Sequence, residues 1–154
     1  MEIKNLKNRP RFVNNRRLER SYQKFSSLIT ELQSKEISEN VIQIINGEIE
    51  GINLQRDEKG FLKKIRVSQH KILKTLEKKH KIVPVGYYRN MWMVLGMSAF
   101  GIPLGVAFGS SLGNMGFLGT GLPIGMVIGI AVGMKKDNEA AKNGKQLEFS
   151  LLKR

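Results

Sequence analysis

The chain has 154 residues, 26 Lys and Arg against 13 Asp and Glu, a net charge of +13, and no cysteine. That length leaves room for one domain, or for a small domain with a membrane anchor. Without cysteine, disulfides, thiolate metal sites and a lipid-bearing cysteine are excluded.

From the start, Met1 to Arg20 is polar and Arg-rich, with no apolar run of signal-peptide length. The first segment able to engage an insertion machinery therefore begins near Met91, and the residues before it are expected to stay in the cytoplasm. Arg9, Arg11, Arg16, Arg17 and Arg20 form a basic cluster opposed only by Glu19. Residues 1–90 hold 20 basic and 10 acidic side chains, a net of +10. A solvated positive face needs no partner. The functional reading of these five arginines is an anionic lipid surface, worth about 1 kcal/mol per basic residue near the headgroups. Nucleic acid is the weaker reading, because no binding motif or base-stacking aromatic pattern supports it.

Residues 15–80 read as helical. Leu18, Tyr22, Phe25, Ile29 and Leu32 follow a 4-3-4-3 spacing and make one apolar stripe. Ile37, Val41, Ile44, Ile45 and Ile49 form a second amphipathic run. Asp57 to Gly60 reads as a turn, after which Leu62, Ile65, Ile72, Leu73 and Leu76 line a third helix. Two heptads are too few for a coiled coil, so the expectation is a small helical bundle or hairpin, marginal by itself. Ile82-Val83-Pro84-Val85-Gly86 then breaks the helix.

From Asn90 to Met134 there are 45 consecutive residues without a charged side chain; every Lys, Arg, Asp and Glu lies outside them. One helix over that window would be about 66 Å long, twice the roughly 30 Å of a bilayer's hydrocarbon core. Two spans fit, about 91–112 and 116–134, with a turn in Gly113-Asn114-Met115-Gly116. A turn over Gly113–Gly121 would put Pro123 near a helix start but leave only about 13 residues for the second crossing. With the shorter turn, Pro103 and Pro123 are both mid-helix and are expected to bend their helices.

The window repeats itself: Gly101-Ile-Pro-Leu-Gly105-Val-Ala-Phe-Gly109 recurs as Gly121-Leu-Pro-Ile-Gly125-Met-Val-Ile-Gly129. The four-residue spacing continues to Gly113 and Gly133, so Gly101, Gly105, Gly109, Gly113, Gly121, Gly125, Gly129 and Gly133 are the predicted helix-packing residues. In water eight interior glycines would cost a helix roughly 6–8 kcal/mol. In lipid an unbonded backbone group costs several kcal/mol, so the helix persists and a glycine face permits close packing. A four-residue step advances about 400°, a right-handed drift suited to right-handed crossings.

With its G-[IL]-P-[LI]-GxxxG repeat and the entry Tyr87-Tyr88-Arg89-Asn90-Met91-Trp92, about a third of the chain resembles the bacterial glycine zipper family of small membrane proteins. The resemblance implies the architecture and no reaction.

Orientation follows from charge. Lys71, Lys74, Lys78, Lys79, Lys81 and Arg89 precede the first span; Lys135, Lys136, Lys142, Lys145, Lys153 and Arg154 follow the second; the turn carries none. Positive-inside bias puts both termini in the cytoplasm, which for a bacterial protein means the inner membrane. Tyr87, Tyr88 and Trp92 are the expected interface anchors. Beyond Met134 the second helix is expected to continue through Ala140 and Ala141 to a C-cap at Gly144. Leu147 to Leu151 alternates, as a short strand, an interfacial segment or an unstructured end would.

No enzyme motif is present. His70 and His80, the two histidines, are ten residues apart on a charged helix, and Glu77 beside His80 does not complete a metal site. No GxxxxGK[ST] or GxSxG occurs. No ionisable residue lies within the spans to relay protons or bind an ion. The expected protein is an all-α membrane protein without cofactor or metal: a basic helical cytoplasmic domain (1–85), a transmembrane hairpin (86–134) and a basic cytoplasmic tail (135–154). Its expected role is non-enzymatic, as a structural or partner subunit in the lipid bilayer that self-associates through its glycines, the partner's identity not being encoded. A channel-forming or membrane-permeabilising oligomer is the rival, and a membrane tether for nucleic acid the weaker alternative.

Overall fold

A computed structural model describes residues 2–7 and 15–149. The chain is of the all-α class. It divides into two compact units, one formed by residues 1–83 and 147–154, the other by Pro84–Gln146.

The first unit contains α1 (Arg16–Gln33), α2 (Glu39–Asn53) and α3 (Glu58–His80). Asn15 caps α1, its side chain accepting from the N–H groups of Arg17 and Leu18 at 3.2 and 3.4 Å. Asp57, expected within a turn, is the N-cap of α3 and accepts from Gly60 N–H at 2.7 Å, so Gly60 lies in the first helical turn. These caps satisfy donors that a helix start leaves unpaired. The three apolar stripes meet in one core: Leu18, Phe25, Ile29 and Leu32 from α1, Val41, Ile45 and Ile49 from α2, Ile65, Ile72, Leu73 and Leu76 from α3. Leu28, Ile42, Ile52 and Phe61 join them, whereas Tyr22, Ile37 and Leu62 are only partly covered and Ile44 faces outward.

Two elements distant in sequence complete that core. Ile3 is buried in it, as are Leu147 and Phe149. The Glu31 carboxylate accepts the N–H groups of Glu148 and Phe149, the latter at 3.1 Å. Of the alternating stretch after Gly144, Gln146–Leu147 is a two-residue strand (β2) paired with Val83–Pro84 (β1); Ser150 and Leu151 lie outside the described residues.

The second unit contains α4 (Tyr87–Gly96), a π-turn (Met97–Gly101), α5 (Ile102–Ser111), a 3₁₀ turn (Met115–Phe117) and α6 (Leu118–Lys142). Helix α5 is closed off by Gly113, just past its C-cap Leu112, with φ +63°. There Asn114 N–H donates to Gly109 O at 3.0 Å and Gly113 N–H to Ser110 O at 3.4 Å, the paired bonds of a Schellman cap. Asn114 Oδ1 then accepts from Gly116 N–H at 2.8 Å, tightening the turn. The break therefore falls in the shorter of the two expected turns, and Pro123 is inside α6. The same cap recurs after α6: Gly144 (φ +67°) donates to Ala141 O at 3.0 Å and Lys145 to Ala140 O at 2.9 Å. Helix α6 thus runs through Met134 to the C-cap expected near Gly144.

Among the described residues one helical run, Tyr87–Ser111 with 25 residues, is long and apolar enough to cross a membrane. The two expected spans reduce to one that passes this test.

Candidate functional site

The two glycine repeats face each other within the second unit. A side chain added at Gly133 would meet Arg89 Cα at 2.5 Å and Tyr88 O at 2.7 Å; one at Gly129 would strike the Trp92 carbonyl. At Gly125 it would strike Gly96 O and approach Gly101 Cα to 2.7 Å, and at Gly121 it would strike Gly101 O and Gly105 N. As numbers fall along α6 they rise along α4 and α5, so the rods run antiparallel. Every atom met is backbone, which cannot swing aside. Gly101, Gly105, Gly109, Gly121, Gly125, Gly129 and Gly133 are all buried.

Gly113 departs from the expectation. It has open space around its α-carbon and serves the turn, because its positive φ, not close approach, is what demands glycine there.

Gly96 takes a place in the contact that the four-residue spacing does not assign. It precedes Gly101 by five residues, which on a regular α-helix would rotate it off the stripe. The π-turn absorbs the extra residue: Ile102 N–H donates to Met97 O, five residues back. Gly96 is thereby returned to the same face and is buried against Gly125 and Gly129. The π-turn ends two residues before Pro103, whose missing N–H already removes one α-helical bond. The expected distortion at Pro103 takes this form, while α6 continues through Pro123 as α-helix.

The stripe on α6 does not stop at Gly133. One further step of four reaches Asp137, 8 % exposed. Its two carboxylate oxygens accept the N–H groups of Tyr88 and Arg89, each at 3.0 Å. These are the second and third residues of α4, whose N-cap, Gly86, has no side chain to offer. Asp137 supplies from α6 the cap that α4 lacks, with its charge at the positive end of the helix dipole. Sequence reasoning passed over it; the signal was the unbroken four-residue spacing from Gly121.

Large apolar side chains cover the outside. Val94, Leu95, Phe100, Ile102, Val106 and Phe108 on one rod, and Leu122, Ile124, Val127, Ile128 and Val132 on the other, are all exposed. At the Asp137 end, Tyr87 and Tyr88 are half-buried with rings edge-to-face, centroids 5.3 Å apart. Lys136 Nζ lies 5.7 Å from the centre of the half-buried Trp92 ring. The three expected interface anchors, Lys135 and Lys136 therefore share one end of this unit, and the uncharged turn forms the other.

Of the basic cluster, Arg16, Arg17 and Arg20 are exposed on the first turns of α1; Arg9 and Arg11 lie outside the described residues. The first unit also holds a buried carboxylate. Glu48 on α2 accepts from Lys71 Nζ and Ser68 Oγ at 2.6 Å and from Lys64 Nζ at 3.0 Å. Burial pushes its pKa up, but the three hydrogen bonds outweigh that and hold it at about 2. His80 Nε2 lies 3.0 Å from Ser38 Oγ and accepts from Ser38 N–H, a link between the end of α3 and the start of α2. Among the described residues no three His, Cys, Asp or Glu side chains gather as metal ligands.

Compared with protein-family models, curated proteins and solved structures, the chain matches none.

Proposed function

We propose that this chain is an integral membrane protein of the glycine zipper kind. On this reading α4–α5 and α6 cross the bilayer as one closed hairpin, and residues 1–83 sit in the cytoplasm. The role is non-enzymatic: the hairpin is an anchor that keeps a basic helical domain at the membrane surface. The observation that carries it is the inverted burial of the second unit, glycines inside and large aliphatic and aromatic side chains outside. A contiguous apolar exterior of that extent is a liability in water and the natural surface in lipid. The aromatic and lysine-rich end then lies at the cytoplasmic interface, as the positive-inside rule requires.

Because the glycine faces cover one another, they close the hairpin, and association between copies falls to other surfaces. The buried stripe is glycine without a polar lining, which favours an anchor over a channel. Arg16, Arg17 and Arg20 stand at a helix N-terminus, where cations oppose the macrodipole. Stabilising α1 is thus not their use, and contact with anionic headgroups is the proposed one.

The test is topology with extraction. Reporters before Met1 and after Arg154 are expected in the cytoplasm, and a tag at Asn114 is expected to be reachable only from outside. The protein should resist high salt and alkaline carbonate and yield to detergent. Release by carbonate, or ends on opposite sides, overturns the proposal. Purified protein in liposomes should conduct no more than empty vesicles; sustained ion flux would replace the anchor with the channel. Salt-sensitive retention of RNA or DNA would replace lipid as the partner of the arginines.

A further inference from the structure

The segment Glu2–Lys7 is held on the first unit by side-chain amides that grip its main chain. Asn46, itself buried, accepts Lys4 N–H on Oδ1 at 2.7 Å and donates from Nδ2 to Glu2 O at 2.9 Å. Seven residues further along α2, Asn53 Oδ1 accepts Lys7 N–H at 3.0 Å. From the end of α1, Gln33 Nε2 donates to Ile3 O at 3.0 Å. Between the two asparagines Glu50 pairs with Lys4, and the side chains of Ile3 and Leu6 pack on the core.

The spacing explains the fit. Asn46 and Asn53 are seven residues apart on a helix, about 10.5 Å along its axis. Lys4 and Lys7 are three residues apart in extended chain, about 10 Å. Asn46, Glu50 and Asn53 therefore form a ruler (i, i+4, i+7) on one face of α2, matched to an extended peptide running in the same direction. Four of the polar contacts read backbone, one reads Lys4 and one, from Gln33 Nε2 to Asn5 Oδ1 at 3.0 Å, reads Asn5, while Ile3 and Leu6 supply anchors three residues apart. This is a peptide-recognition surface, filled in cis.

We propose that this crevice takes the same segment from a second copy of the chain, so that copies associate by exchanging residues 2–7. Every contact made in cis is available in trans, the condition under which exchange of an identical element is a low-cost route to a dimer. Eight peptide links separate Lys7 from Asn15, enough to span about 27 Å when extended. The exchange uses surfaces of the first unit alone, so it stands or falls separately from the membrane reading.

The chain's lack of cysteine makes the test clean. One tagged copy carries Lys4→Cys and a differently tagged copy carries Glu50→Cys. Both positions are more than half exposed, so neither change threatens folding. The two are co-expressed full-length and treated with a short bis-maleimide, since the native pair joins the tips of two long side chains. A covalent species bearing both tags, at twice the chain's mass, is expected. It should fall about tenfold when the Glu50→Cys copy also carries Asn46→Leu, which removes two hydrogen bonds from the acceptor crevice. Gln43→Cys, exposed elsewhere on α2, measures random collision. A mixed species no more abundant than with Gln43→Cys overturns the exchange. A single chain carrying Lys4→Cys and Glu50→Cys reports the cis arrangement; if it closes on itself while the mixture yields nothing, the segment never leaves its own groove and the proposal fails. Coupling of the Glu50→Cys copy to another protein instead of a second copy overturns it equally.

Discussion

The two units bury opposite things. In the first, Phe25, Phe61 and more than a dozen Leu, Ile and Val side chains fill the interior, and among the described residues Glu48 is the one charge buried with them. In the second, the interior stripe is glycine ending on an aspartate, and the large apolar side chains are outside. The first arrangement is what water selects, because burying aliphatic area there gains about 25 cal/mol per Å². On the membrane reading proposed above, the second gains almost nothing from that term, and its cohesion rests on backbone contact and on the few polar groups at its ends. On that reading one chain holds two units suited to two solvents.

The hardest blow to that contrast is struck at Gly125. Gly125→Leu drives a side chain into the backbone of Gly96 and Gly101 and should force the rods apart, costing about 3 kcal/mol or more. Val127→Leu, at a position 67 % exposed, should change stability by less than about 0.5 kcal/mol. Crosslinking between α4 and α6 in mild detergent reads the difference; equal behaviour of the two variants would mean that the glycines are not a contact face. Gly105→Leu and Val106→Leu repeat the comparison on the other rod.

In the first unit the counterpart is Glu48. Its folded pKa of about 2 lies below the ordinary 4.5, so its contribution is fully present above pH 4.5 and is lost as pH falls towards 2. Glu48→Gln should cost about 2–3 kcal/mol at neutral pH, with Lys64 and Lys71 left unpaired. The same substitution should flatten the acid limb of stability measured by denaturant midpoints. An unchanged acid limb would show that the cluster does not govern it.

Asp137→Asn sharpens the comparison at the end of the rods opposite the turn. The amide keeps one acceptor and loses the charge, an expected cost of about 1 kcal/mol. Hydrogen exchange at the Tyr88 and Arg89 amides should accelerate several-fold, with the amides near Gly113 unaffected. Uniform acceleration along α4 would mean that Asp137 acts on the whole pair rather than as a cap. The smallest effect is expected at Asp57→Ala, a cap in the first unit worth about 1 kcal/mol or less, seen as a lower helix content at the start of α3.

The three helices of the first unit were legible because stripes such as Leu18–Phe25–Ile29–Leu32 recur at helical spacing. Ile44 was misplaced and Phe61 passed over because a stripe's edge residues depend on which neighbour helix covers them. The turn at Gly113 was legible from its glycine–asparagine chemistry. That Gly113 serves the turn and not the packing face was not separable from the repeat, since a φ of +63° leaves no mark on composition. Gly96 was hidden by a spacing of five, which becomes equivalent to four only once a π-turn forms beside Pro103.

By itself the sequence determined what depends on order along the chain: the helical periods, the charge-free window of 45 residues, and the glycine spacing that admits a backbone at close range. Only the tertiary structure decided what depends on meeting across the chain. It turned the glycine faces towards each other, set Asp137 on the first turn of α4, and laid residues 2–7 along Asn46, Glu50 and Asn53. The contacts of Asp137, and those of residues 2–7 with α2, join positions more than forty apart. Local pattern fixes which face a residue occupies, whereas the partner of that face is chosen by packing, where excluded volume and unpaired backbone donors select among many possible neighbours.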